Sequence, residues 1–193
     1  MHLIRIGWGL SWISAWELVG LISKLLVITA IPAIVVYWER RSLTSIGMRG
    51  MRLGDMFAAL AIVLVYLQID PRLARVAYSL PVVAAELTTG SVLYASLPKW
   101  LDISGLLANA VAEEIGYRGY AIERIEELTG STILAATFPL IVNVLVHGPI
   151  WGLHGMFVKF PILLLFVALY FWRRSLPACV IVHLIIDIRS FEF

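Results

Sequence analysis

A chain of 193 residues that is 61% hydrophobic and only 15% charged, with mean hydropathy +0.90, has too little polar surface for a soluble fold and reads as an integral membrane protein. A net charge of +2 supplies no basic field for nucleic acid, and a lone Cys179 excludes an intrachain disulfide. At about 20 residues per span the length holds about six to seven embedded helices, so residues 1–193 are expected to form one all-α polytopic membrane bundle.

The first apolar stretch, about Ile6 to Trp38, is too long for a signal peptide and lacks a small-residue cleavage site, so it is expected to be a retained span. Glu17 and Lys24 interrupt it seven residues apart, near one face of a helix, and read as snorkelling or loosely paired charges. The loop that follows carries Arg40, Arg41, Arg49 and Arg52, which places loop 39–55 in the cytoplasm by the positive-inside rule. A second span, Met56 to Ile69, is expected to stop at Asp70-Pro71, because proline disfavours helix in the residue before it. A third span covers Val76 to Leu97 and contains Pro81 and a further intramembrane acid, Glu86. Pro98, Lys99, Trp100 and Asp102 form a polar, aromatic interface turn.

A helix is then expected from Ile103 to Arg124, with Glu123 to Glu127 emerging from the hydrocarbon. Leu128 to Val158 contains no Asp, Glu, Lys or Arg and exceeds one span, and Gly148-Pro149 and Gly152 mark a break within it. The next helix, Phe160 to Trp172, ends at Arg173 and Arg174. Simple alternation of spans puts these two arginines opposite loop 39–55 unless the region after Pro149 contains a further break. A last helix runs from Leu176 to Asp187, with Cys179 as a packing residue.

The chemistry concentrates in the second half of the chain. Glu113 and Glu114 close an apolar run, and acids at such positions usually face an internal cavity and mark a functional site. Glu114 and Arg118 are four apart, so the guanidinium can hold one carboxylate ionised, while Glu113, about 100° around the helix, points elsewhere. His147, His154 and His183 lie in apolar segments, and His183 shares a helix face with Asp187, which can orient or charge the imidazole. One available carboxylate, one positioned carboxylate and two imidazoles suit the activation of water against a peptide carbonyl. In that scheme Glu113 takes the proton, and His147 and His183 stabilise the oxyanion directly or through a metal ion.

These residues carry a resemblance. Glu113-Glu114 with Arg118 is similar to the EExxxR motif of the CAAX protease and bacteriocin-processing (CPBP, or Abi) family of intramembrane proteases. His147 with Pro149 resembles the family's second motif, and His183-Leu-Ile-Ile-Asp187 its third. The motifs cover a core of about residues 103–188. The resemblance implies an endopeptidase with Glu113 as water-activating base, Glu114 and Arg118 positioning it, and His147, His183 and Asp187 completing the site. It implies either zinc or another divalent metal on His147, His183 and Asp187, or no metal. It also implies a lipidated or membrane-associated peptide substrate, contact with membrane lipid, no nucleic acid, and a prokaryotic cell membrane.

Two departures matter. Asn143 stands four residues before His147, where the family has Phe or Trp, which leaves His154 as a rival to His147. Asp187 stands where the CAAX endopeptidases proper have Asn, and an ionised Asp cannot donate to an oxyanion as an amide can. Asp187 therefore either ligates a metal or orients His183, which shifts weight towards a prokaryotic-type relative. A catalytically silent membrane immunity or binding protein of the same fold stays open. A proton-coupled transporter is the poorer reading, because 193 residues leave little room for paired halves.

Overall fold

The computed structural model describes residues 12–79 and 98–190. The third expected span, with Pro81 and Glu86, lies mostly outside the described residues, as do His2 and the side chain of His154. All regular structure described is helical: α1 (Trp12–Ala33), α2 (Leu53–Tyr78), α3 (Lys99–Glu113), α4 (Glu123–Thr129), α5 (Thr132–Val146), α6 (Gly148–Arg173) and α7 (Leu176–Ser190). A π-helical segment, Glu114–Ile122, joins α3 to α4 without a break, so the motif helix runs from Lys99 to Thr129. Among the described residues three helices are long and apolar enough to cross a membrane, Ala15–Trp38, Leu53–Leu73 and Gly155–Arg173, and Thr132–Val146 is a shorter apolar helix.

The outer surfaces of α1 and α2 carry Trp16, Val19, Leu26, Phe57 and Leu60 well exposed, which suits contact with lipid tails rather than water. The packed core lies between the other faces. Phe166, Leu163 and Tyr170 of α6 meet Cys179, Val182 and Ile186 of α7, Ile115 and Ile122 of the motif helix, and Ala58 and Ile62 of α2. Small residues let the backbones approach closely, as is usual where helices associate in lipid. At Gly119 an added Cβ would sit 2.9 Å from the carbonyl oxygen of Ile46, so loop 43–46 rests directly on the motif helix.

Pro71 does not end the second span as expected, and α2 continues through it to Tyr78. The ring removes one backbone donor, and the Arg72 guanidinium donates to the carbonyl of Gln68 in the same turn. The break expected after His147 is present. His147 caps α5, Pro149 opens α6, and Gly152 adopts φ 60°, ψ −156°, a region essentially restricted to glycine. Gly152→Ala is therefore expected to lower unfolding stability by about 1–3 kcal/mol. Gly105→Ala, where nothing lies within 4 Å of the added carbon, should be neutral or slightly stabilising. Parallel denaturation of the two purified variants checks this, and equal melting behaviour would contradict it.

The charged residues gather at one end of the bundle. Asp55, fully buried, receives Arg49 at 2.8 and 3.1 Å, Arg173 at 2.8 Å and the backbone N–H of Arg52 at 2.8 Å. Arg174 donates to Glu123 at 2.9 Å and to Glu126 at 2.7 Å, and Arg124 grips Glu39. Arg173 and Arg174 thus lie at the same end as loop 39–55, which corrects the side given by simple alternation. α2 runs away from the charged end, and the motif helix returns to it.

The hydrogen bond from Arg124 holds the Glu39 carboxyl below its ordinary value of 4.5, and that from Arg174 does the same for Glu126. Depressed carboxylates contribute stability that is complete above the unfolded value and lost as pH falls through the lower folded value. The melting temperature in detergent should therefore decline below about pH 4.5, and Glu39→Gln should flatten that decline while lowering the neutral-pH plateau. An acid limb unchanged in Glu39→Gln would show that other groups cause it.

Candidate active site

The acidic pair sits at the junction of α3 and the π segment, and its two members enter different surroundings. Glu113 lines a cavity of about 660 Å³ between α1, the motif helix and α5, whose walls include Lys24, Asn109, Tyr117, Phe138 and Val142. Asn109, one turn earlier, donates its amide to Glu113 Oε1 at 2.8 Å, which fixes the carboxylate and leaves its other oxygen available. Glu114 turns into the protein, fully buried, with Oε1 accepting from His183 Nδ1 at 2.8 Å and lying 3.3 Å from Arg118 Nη1.

The Glu114–Arg118 contact is an ion pair without a hydrogen bond. The α-helical register aligns residues four apart, whereas the wider π turn spreads them, and such segments recur at functional sites. Arg118, 1% exposed, also lies over the Phe166 ring at 5.2 Å and reaches the Leu163 carbonyl at 3.5 Å. Its Nε and Nη1 make no hydrogen bond among the described residues.

His183 is held from three sides. A carboxylate only accepts, so Nδ1 carries the hydrogen shared with Glu114. Nε2 lies 3.4 Å from Asp187 Oδ2, and the ring stacks on Phe166 with centroids 4.8 Å apart. His147 closes α5, and its Nδ1 shares a hydrogen bond of 2.7 Å with the Asn143 carbonyl, which fixes the tautomer and leaves Nε2 as the free edge. Glu113 interacts electrostatically with both His183 and His147, so the acid and the two imidazoles from three helices form one neighbourhood. The Asn143 side chain is fully buried, and neither amide atom finds a hydrogen-bond partner among the described residues.

A divalent metal needs converging lone pairs, and the described donors do not supply them. Both ring nitrogens of His183 face carboxylates, and Nδ1 of His147 is engaged. Among the described residues no three His, Cys, Asp or Glu side chains group as a metal site. The donor set His147, His183 and Asp187, as arranged here, does not fit a bound ion.

Spacing alone missed three features of the site. The Glu114–His183 bond joins residues 69 positions apart, and only three-dimensional packing reveals it. Asn109 is four residues before Glu113, an i,i+4 pair that could have been found in the sequence. Lys24 reads as a peripheral charge on α1, yet it lines the cavity.

A family model described as Type II CAAX prenyl endopeptidase Rce1-like matches residues 95–189, which contain all three motifs. No curated protein and no solved structure matches the chain. The acidic pair, its buried arginine and the two histidines lie within that matched segment, through which this integral membrane protein is similar to the CAAX protease and bacteriocin-processing family of intramembrane proteases.

Proposed function

We propose that this protein is an intramembrane endopeptidase that hydrolyses a peptide bond with water activated by Glu113. The observation that carries this reading is the division of the acidic pair, with Glu113 on the cavity wall and Glu114 bonded to His183 inside the protein. Glu113 accepts a proton from water as the oxygen attacks the peptide carbonyl carbon, giving a tetrahedral oxyanion. His147, when it carries a proton on both ring nitrogens, donates Nε2–H to that oxyanion, and His183, bonded to Glu114, supports it from the third helix. Glu113 then passes its proton to the amine as the C–N bond breaks, leaving a carboxyl product and a free amine. Glu114, Arg118 and Asp187 are positioning residues that fix the orientation and charge of His183.

The substrate is a membrane-associated or lipidated peptide, because the cavity lies among membrane-embedded helices. The charged end faces the cytoplasm of a prokaryotic cell, since Arg124, Arg173 and Arg174 join the four arginines of the loop there. A second reading, a catalytically silent immunity or binding protein, draws on Asn143, a buried amide where the family carries an aromatic ring.

Purified protein offered a library of membrane-tethered peptides, with and without a chelator, tests the first reading. Cleavage by the wild type that is absent from Glu113→Gln and insensitive to the chelator is the expected result. A wild type that cuts nothing ends the protease reading, and chelator sensitivity reversed by zinc would bring the metal back.

A further inference from the structure

An oxyanion needs hydrogen-bond donors aimed at the reacting carbonyl, and most donors near Glu113 are already engaged. Both ring nitrogens of His183 face carboxylates, and an ionised Asp187 only accepts. His147 keeps the Nδ1 hydrogen on the Asn143 carbonyl, so its Nε2 donates only from a doubly protonated ring. On the cavity wall, Ser23 Oγ donates to the Gly20 carbonyl and Asn109 donates to Glu113. Lys24, on the α1 wall, brings a charge on a flexible stem, which supplies a field but no fixed direction.

Tyr117 differs from all of these. It lines the same cavity half-buried, and its hydroxyl makes no hydrogen bond among the described residues. The charges that act on it are those of Glu113 and Arg118, which places it beside the acid that takes the proton. Tyrosine hydroxyls in apolar surroundings usually have a partner, so an open one on this wall points to a partner that the substrate brings. A phenol is protonated throughout the neutral range, and it therefore donates whatever the state of His147. The spacing also fits. One helical turn, about 5.4 Å, separates Tyr117 from Glu113 along the motif helix. Water held about 2.6–3.2 Å from a base attacks a carbon about 3–3.5 Å away, and a donor sits about 2.7–3.1 Å from the oxyanion. That path bends at the water and again at the carbonyl, so its two ends come within reach of side chains one turn apart.

We propose that Tyr117 is a catalytic residue, donating its O–H to the oxyanion that forms on the scissile carbonyl. This rests on the endopeptidase reading and adds a second donor to it. As Glu113 removes a proton and the water oxygen bonds to carbon, the carbonyl π pair moves onto its oxygen, where the Tyr117 hydrogen bond meets it. The pair returns as the C–N bond breaks and Glu113 protonates the amine, so Tyr117 keeps its own proton throughout. The bond strengthens as charge develops, and it therefore favours the transition state over bound substrate.

The test compares full-length wild type, Tyr117→Phe and Tyr117→Leu in phosphatidylcholine nanodiscs, on the membrane-tethered peptide that the wild type cuts best. Tyr117→Phe keeps the ring and should lower kcat about 10²-fold, with KM and the melting curve unchanged. Tyr117→Leu should lower kcat no further, since the hydroxyl and not the ring is what acts. A fluorotyrosine incorporated at the same position retains the O–H and should keep most of the wild-type rate. The same peptide with a thioamide at the scissile bond locates the effect. Sulfur accepts a hydrogen bond weakly, so on that peptide the rates of wild type and Tyr117→Phe should draw close together.

A Tyr117→Phe protein that cuts at the wild-type rate would overturn the proposal, as would a loss confined to KM. So would a full rate in Tyr117→Phe with a loss only in Tyr117→Leu, which assigns the ring to packing. A loss that persists undiminished on the thioamide would also overturn it, since that assigns the hydroxyl to the water or to Glu113. Failure of the endopeptidase reading has a different signature: the wild type itself then cuts neither peptide, and the proposal falls with that reading.

Discussion

Glu113→Gln is expected to slow peptide cleavage by roughly 10²–10⁴-fold, the range for removal of a general base, while the protein keeps its fold. The fold survives because the carboxylate has one hydrogen-bond partner among the described residues, Asn109, and a glutamine oxygen can accept the same bond at the same place. What disappears is the capacity to take a proton from water and return it to the amine. The loss should fall on kcat with KM nearly unchanged, since the residue acts on the reacting atoms rather than on remote parts of the substrate. Single-turnover cleavage, with a melting curve on the same preparation, checks both halves of this expectation. A variant that cuts at the wild-type rate would remove Glu113 from the mechanism, and one that fails to fold would show that the cavity wall depends on the charge.

The second large effect belongs to the buried partner. Arg118→Ala leaves Glu114, fully buried, without its guanidinium, and breaking such a pair from one side costs about 3–5 kcal/mol. Removing both charges is a different matter, since a buried pair replaced by apolar groups of similar volume is often neutral. The double variant Glu114→Leu/Arg118→Met should therefore recover much of the stability that Arg118→Ala loses. Activity should not return with it, because His183 loses the acceptor that holds Nδ1. Chemical denaturation paired with cleavage assays separates the two outcomes. A double variant that is stable and fully active would reduce Glu114 and Arg118 to packing.

Much of the architecture was legible in the chain. Hydropathy and the break at Gly148-Pro149 and Gly152 gave the all-helical class and the later helices, because lipid permits little besides helix. Spacing of four residues brought Glu114 to Arg118 and His183 to Asp187. Pro71 misled, since the loss of one backbone donor did not outweigh the continuation of an apolar helix. The π segment left no trace, because apolar periodicity cannot resolve a change of hydrogen-bond partner by one residue. The link between Glu114 and His183 was hidden for a simpler reason. Nothing local in either segment encodes a contact made by helices that meet only after the chain has folded back.

The cluster around Asp55 has a consequence for synthesis. Its first arginine, Arg49, belongs to the same loop and is available as soon as the first two helices exist, but Arg173 arrives 118 residues later. Until then the carboxylate has only one of its two arginine partners at the lip of a growing bundle. Arg49 also donates to the carbonyls of Arg173 and Arg174, so the late segment completes the early one as well as being held by it. That end of the molecule is a latch that closes only when α6 has come into register, making this contact a report on late assembly.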